Sequence, residues 1–343
     1  MAISQSAIED LARKGAERGL DLRPGLDLVE ERLQTTVASE LPFAQEASRY
    51  LIDAGGKRFR PMLVLLAGML AGADPTDDRL VDAGVVVELV HLSTLYHDDV
   101  IDAADVRRGA PAAHVKWSNT VAILTGDFLL ARASELSAAL GVEVTRIMAR
   151  TIADLCAGQI REVQGSLAAR DHGAPVLEPT RDHYLTVIGE KTASLIAASC
   201  RLGAILSDQP AAAVETMTDY GWRLGMSFQL ADDVLDVVGE PGESGKLPGT
   251  DLREGVRTLP VLLALETEGP ASRLPGLLAD PTDGNVAAAL AILQDHPAIE
   301  LARDSARLEA GMAKRALQGL TDADPGVLEA LDYLADYAVD RLG

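Results

Sequence analysis

The sequence carries one chemical pattern twice. Asp98-Asp-Val-Ile-Asp102 and Asp232-Asp-Val-Leu-Asp236 both read DDxxD. On an α-helix the first and last aspartates of such a run stand at i and i+4, about one turn apart on one face, with the middle one about 100° round the axis. Carboxylates held this closely repel one another unless a cation sits between them. Oxygen-only donors on helices suit Mg2+, a hard cation that keeps waters and is usually completed by substrate phosphates. A calcium loop would need ligands spaced along a loop and Gly at its sharp turn, which neither motif has. One DDxxD alone reads as a charged, solvated helix face. Two copies, each preceded by apolar text (Val85-Val-Val-Glu-Leu-Val90 and Met226-Ser-Phe-Gln-Leu230), read instead as metal ligands on partly buried helices.

Magnesium held by aspartates calls for an anionic ligand, and the chain supplies matching cations. Gly55-Gly-Lys-Arg-Phe-Arg-Pro61 is a Gly-hinged basic cluster at a helix start, where backbone N–H groups and the helix dipole also favour phosphate. Arg107-Arg108 follows the first acidic motif, Lys191-Thr192 lies in a third helix, and Lys246 sits in a Gly-rich loop after the second motif. Each alone is an ordinary surface feature. Together with the acidic pair they point specifically to a metal and phosphate site.

These residues must be positioned by helices. From Leu28 onward helical segments of roughly ten to thirty residues alternate with short breaks, and no run of period-two alternation stands out. The breaks fall at Asp53 to Gly56, Gly72 to Pro75, Arg107 to Pro111, Gly165 to Pro179 and Gly239 to Gly249. The last two are long enough to act as lids. No linker or repeat divides the chain, so residues 26–343 are expected to form one all-α domain, with 1–25 a loosely attached segment.

Composition agrees. At 48% hydrophobic but only 3% aromatic, the core must be built from Ala, Leu, Val and Ile, which favours close-packed helices over a β-sandwich. The formal net charge of -21 excludes nonspecific nucleic-acid binding, which needs a surplus of Lys and Arg. Two cysteines, Cys156 and Cys200, fit a reduced cytoplasm. The longest apolar run, Pro61 to Ala73, is well short of the ~20 residues of a membrane span, and the first residues lack a signal-peptide pattern. The six motif aspartates are matched by Lys57, Arg60, Arg107, Arg108, Lys191 and Lys246. The net charge therefore belongs to the rest of the chain and concerns solubility.

In order along the chain, GGKRFRP, HDDVID followed by VRRGAP, Gly126-Asp127-Phe128, Glu190-Lys-Thr192, FQLADDVLD and GKLPGTDLREGVRTLP resemble the trans-isoprenyl diphosphate synthases, or polyprenyl synthetases. Within them the chain is most similar to long-chain, menaquinone-type actinobacterial members. The resemblance implies antiparallel helices round a deep central cavity, a homodimer, and head-to-tail (1'-4) joining of isopentenyl diphosphate to an allylic diphosphate. It also implies that Asp98, Asp99, Asp102, Asp232, Asp233 and Asp236 hold Mg2+, three ions per site with Mn2+ as a substitute. Lys57, Arg60, His91 and Arg108 would contact isopentenyl diphosphate, and Arg107, Lys191, Thr192, Gln229 and Lys246 the allylic partner. His91 in isolation is a satisfied core histidine; its place seven residues before Asp98 brings it into this set. Two stretches depart from the family pattern. Gly158-Gln159-Ile-Arg-Glu162 stands where many members have Gly-Glu-x-x-Gln, and Glu254-Gly-Val256-Arg257-Thr258 stands for Glu-Gly-Lys-x-Thr, with Arg257 one position beyond the family's lysine.

In this family the residues just before the first acidic motif largely set the wall of the elongation cavity, and bulky aromatics there stop growth early. Here those positions are Ser93 and Thr94, both small, with Leu89, Val90 and Val86 a turn further down. A product beyond geranylgeranyl, in the range of quinone side chains, is expected. Tyr96 reads as a packing aromatic.

Four rivals define what must be distinguished. A geranylgeranyl or farnesyl synthase would share every motif and differ in product length. A noncatalytic partner subunit would be expected to lose acidic motifs, and this chain keeps both, so in a heteromer it would be the catalytic chain. A class I terpene cyclase guides its cation with aromatic faces, which 3% aromatic content disfavours. An HD-type phosphohydrolase, suggested by His97-Asp98, needs additional metal-binding histidines, and the chain has six in all with none in the second motif.

Overall fold

Helix starts are written into the local sequence. α1 (Arg23–Thr36) and α2 (Pro42–Asp53) carry Pro in the first turn, where its missing N–H leaves no bond unmade. α3 (Phe59–Met69) follows Arg58, whose backbone is left-handed at φ 47°. Asp77 caps α4 (Asp78–Ile101) by accepting from the Arg79 N–H at 2.8 Å. Beyond it the Arg107 to Pro111 break forms a minimal antiparallel hairpin, β1 (Val106–Arg107) and β2 (Ala110–Pro111), with Val106 opposite Pro111. The short α5 (Ala113–Lys116) leads to α6 (Asn119–Leu140), capped by Ser118, and Gly141 at φ 119° turns the chain into α7 (Val142–Gly165). α8 (Arg181–Ile188) is capped by Thr180. It widens into a π-helical turn, Gly189–Ala193, before α9 (Ser194–Leu206). The longest helix, α10 (Ala211–Val238), is followed by α11 (Thr250–Arg253), α12 (Leu259–Thr267), α13 (Leu274–Leu278), α14 (Asp283–Gln294), α15 (Ala298–Leu317) and α16 (Pro325–Asp340).

This computed structural model describes residues 20–166, 175, 177–239, 248–268, 272–340 and 342. Residues 1–19, Lys246 and most of both loops read as lids lie outside them. Within the segment expected to be loosely attached, Leu20 and Leu22 are buried in the main core.

The architecture is all-α. α4 packs on α1, α3 and α6, while α9 lies between α3 and α10, and α10 also packs on α15 and α16. Two aliphatic clusters fill the interior, and α10 contributes to both. Leu224 and Phe228 face the larger one, and Met226, Leu230 and Val234 face the one shared with α8, α12, α14 and α15. Tyr96 is a packing aromatic: fully buried, it donates its hydroxyl to the Ala47 carbonyl at 2.6 Å and so fastens α4 to α2.

Candidate active site

Both acidic motifs come to the C-terminal ends of long helices, Asp98 to Asp102 closing α4 and Asp232 to Asp236 near the end of α10. The π turn Gly189–Ala193 links them. Lys191 Nζ is ion-paired to Glu162 on α7 and lies in the field of Asp98 and Asp102. The next residue, Thr192, donates its hydroxyl to Gln229 Oε1 at 3.0 Å, and Gln229 Nε2 donates to Asp233 Oδ1 at 2.8 Å. Consecutive side chains of one widened turn therefore serve opposite motifs.

The six aspartates, alike in the sequence, are not alike in the fold. Asp99 is fully buried; its Oδ1 accepts from Arg107 Nε at 2.6 Å, and its Oδ2 is buried with no partner. Asp233 has both oxygens engaged, Oδ2 accepting from the Tyr184 hydroxyl at 2.5 Å and Oδ1 from Gln229. The middle aspartates thus anchor protein groups, and the outer ones differ again. Asp236 accepts from the backbone N–H groups of Thr250 and Asp251 at 3.1 and 3.2 Å, so it caps α11 and pins the chain after the Gly-rich loop to the end of α10. Asp232 is buried beside it, and Asp98 and Asp102 face Lys191.

Burial dominates the electrostatics. It pushes the Asp98 carboxyl up to about 6, with Lys191 opposing and Asp102 and Glu162 adding to the rise. Asp102 is raised by burial in the same way. Burial likewise lifts Asp233 to about 7, against the hydrogen bonds from Tyr184 and Gln229 and with the help of Asp232 and Asp236. Burial disfavours the Lys191 ammonium, but Glu162, Asp98 and Asp102 outweigh it and hold its pKa above the ordinary value, so Lys191 stays charged. A divalent cation fits this donor set: all-oxygen, crowded, reluctant to ionise unaided, and with one buried Asp99 oxygen unmet. Among the described residues no three His, Cys, Asp or Glu side chains close into a complete chelate.

A second, cationic pocket lies along the same face of α4. His91 precedes Asp98 by seven residues, about 10 Å of helix. Burial, Arg60 and Arg108 hold the imidazole pKa well below its usual value, so His91 is neutral. Burial lowers Arg60 to about 10, with Arg108 adding to the shift, and its Nε is buried without a partner. Arg108, at φ 54°, donates to the carbonyls of Leu51 and Gly55 and approaches Glu88 at 3.9 Å. Buried Glu88 is taken mainly by Arg58 at 3.0 Å, and Arg58 also forks onto Glu30 at 2.7 and 3.0 Å. Arg58 is thus neutralised within the fold, while Arg60 and Arg108 are left as an excess of positive charge suited to an anion.

An acidic, metal-fitting end and a basic, anion-fitting end on one helical scaffold agree with the comparisons. Residues 42–293 match the polyprenyl synthetase family. The chain belongs to that family. It is 44% identical to the nonaprenyl diphosphate synthase of Mycobacterium tuberculosis over 94% of each chain, and 38% identical to a dimethylallyltranstransferase of the same organism over 90% of this chain and 92% of that one. Among solved structures it is similar to a polyprenyl synthase from Caulobacter crescentus complexed with calcium and isoprenyl diphosphate. The TM-score is 0.86 at 33% identity, covering 100% of this chain and 99% of that one. As a polyprenyl synthetase, the protein is a prenyltransferase.

The remaining sequence-predicted residues separate in the fold. Thr94 shares the partly exposed face of Asp98, with its hydroxyl bonded to the His91 carbonyl, whereas Ser93 is fully buried and its hydroxyl has no partner. Lys57 is partly buried at the turn before α3, and Lys246 lies outside the described residues. The two departures from the family pattern also acquire partners. Glu162 is the counterion of Lys191, while Gln159 keeps a buried Oε1 unmet, and Arg257 is ion-paired to Glu178. Sequence reasoning missed Tyr184, Glu88 and the structural role of Arg58. Glu88 had a signal, a lone acid inside an apolar run; Tyr184 had none.

Proposed function

We propose that this polyprenyl synthetase condenses isopentenyl diphosphate with an allylic diphosphate, head to tail, and releases a long all-trans prenyl diphosphate of the range used for quinone side chains. The π turn carries the reading, because Lys191 and Thr192 join both acidic motifs at the place an allylic diphosphate would occupy. Asp98, Asp99, Asp102, Asp232, Asp233 and Asp236 would hold three Mg2+, or Mn2+ in their place, with Asp99 and Asp233 also fixing Arg107, Gln229 and Tyr184 around them. The metal supplies Lewis acidity that stabilises negative charge on the departing diphosphate.

The protein's own groups do the rest. Lys191, held protonated, and Arg107, fixed by Asp99, present charge to the same leaving group, with Thr192, Gln229 and Lys246 completing its contacts. Lys57, Arg60, Arg108 and neutral His91 hold the second diphosphate and so orient the isopentenyl double bond. The allylic C–O bond breaks, the double bond attacks the resulting cation to form the new C–C bond, and the proton then lost passes to the released diphosphate. Water has to be kept from the cation, which it would quench.

Small Thr94, on the Asp98 face, and the similarity to a nonaprenyl synthase support a long product. A homodimer is supported by the large apolar side chains that α6 and α7 expose, Ile123, Leu124, Val142 and Ile160. No described helix is long and apolar enough to cross a membrane, and with two free cysteines this supports a cytoplasmic enzyme.

Purified protein incubated with Mg2+, isopentenyl diphosphate and farnesyl or geranylgeranyl diphosphate should yield a ladder of longer prenyl diphosphates on chromatography. A single product of geranylgeranyl length or shorter would defeat the chain-length reading, and absence of elongation the reaction itself. Thr94→Phe should shorten the longest product by at least one isoprene unit; an unchanged ladder would remove Thr94 from the cavity wall.

A further inference from the structure

Beside the π turn the surface opens into a cleft of about 530 Å3 lined by Asp182, Leu185, Thr186, Glu190, Trp222 and Met226. The cleft is shallow and open to solvent. Trp222 is one of two tryptophans in a chain of 3% aromatic content, yet its side chain is 37% exposed. Its ring lies so close to the backbone that a Cβ on Gly189 would come within 2.9 Å of two ring carbons, and Met226 Sδ is 3.8 Å from the same point. Leu185, Thr186 and two carboxylates, Asp182 and Glu190, complete the lining. Asp182 has no ion-pair partner among the described residues, and Glu190 is balanced only by Arg161 at 2.9 Å. The cleft combines the Trp222 indole, the apolar walls of Leu185 and Met226, the Thr186 hydroxyl and one carboxylate, Asp182, without an ion-pair partner among the described residues. Aromatic surface paired with negative charge recognises an organic cation by cation–π attraction and ion pairing together.

We propose that this cleft binds a small organic monocation, an alkylated ammonium whose charge lies between Asp182, Glu190 and Trp222 and whose chain covers Leu185 and Met226. The cleft adjoins the catalytic machinery without being part of it. Gly189 and Glu190 immediately precede Lys191 and Thr192, and Met226 stands three residues before Gln229 on α10. A ligand seated on Trp222, whose ring already packs on the π turn at Gly189, therefore bears on both elements that the acidic motifs share. Given the function proposed above, occupancy changes the KM for the allylic diphosphate; binding itself does not depend on that reading.

The test uses Trp117→Phe, which leaves Trp222 as the sole tryptophan, titrated with hexyltrimethylammonium and followed by fluorescence. A saturable change is expected. It should be weakened about fivefold or more by Asp182→Asn, the factor that ~1 kcal/mol of lost ion pairing represents, and should be absent with the neutral alcohol 1-heptanol at equal concentration. Calorimetric titration of the unsubstituted protein gives the same readout should Trp117→Phe fold poorly. No saturable binding, equal binding of the alcohol, or indifference to Asp182→Asn would each overturn the proposal. Binding without any change in KM would leave the site standing and overturn its coupling to the π turn.

Discussion

Asp98 is the residue at which charge, burial and chemistry conflict most directly. In the ligand-free fold its carboxyl keeps a proton up to about pH 6, whereas in the unfolded chain it releases one near 3.8. The folded state thus binds more protons in that interval, and the contribution of Asp98 to stability is lost as pH rises through it. Asp98→Asn should therefore stabilise the ligand-free protein at pH 8 by about 1–2 kcal/mol, after allowance for partial solvent screening, and give no gain near pH 4. The same substitution should abolish elongation. Denaturant melts at both pH values check the first statement and product chromatography the second; a destabilised variant at pH 8 would contradict the burial argument. Tyr184 is the opposite case, a residue with no chemistry of its own that keeps a buried acid satisfied. Removing its hydroxyl in Tyr184→Phe leaves Asp233 with Gln229 alone, at a cost of about 1–2 kcal/mol. The Mg2+ concentration needed for half-maximal activity should rise, and unchanged stability and metal requirement would show that Asp233 finds another donor.

At the level of elements, the decisive feature is how close α7 and α10 approach the π turn. A Cβ on Gly158 would lie 2.8 Å from the Lys191 backbone nitrogen, and one on Gly225 would lie 2.6 Å from the Ala193 Cα. Both contacts are with backbone, which cannot swing aside as a side-chain tip can. The turn is thus clamped between two glycines, and Lys191 is placed by that clamp as much as by its pairing with Glu162. Gly158→Ala should displace the turn and reduce kcat by an order of magnitude or more, with folding retained in far-ultraviolet circular dichroism. A variant of normal kcat would mean that the turn tolerates displacement. α4 works differently, as a ruler: one helix face carries neutral His91, Thr94, Asp98 and Asp102 in sequence, so the basic pocket, the cavity wall and the first acidic motif keep fixed separations.

For the whole molecule, the exposed apolar side chains of α6 and α7 set an expectation of a second copy. Mass determination in solution should give twice 36.2 kDa. Leu124→Asp combined with Ile160→Asp should yield monomers, and a dimer that survives both would place the interface elsewhere. An all-α fold, two helical acid motifs and their basic complement were legible in the sequence, because i, i+4 spacing, proline and glycine breaks and aliphatic composition act locally. The division of labour within the site was not. That Asp99 and Asp233 anchor protein groups, that Arg58 is consumed by Glu30 and Glu88, that Ser93 is buried while Thr94 faces the site, and that Glu162 holds Lys191 all depend on partners brought together from distant positions. Tyr184 and Asp233 are 49 residues apart in the chain and 2.5 Å apart in the fold. Residue type and spacing determined which chemistry this protein can hold; burial and long-range pairing, which exist only once the helices have packed, decided which atoms are left to perform it.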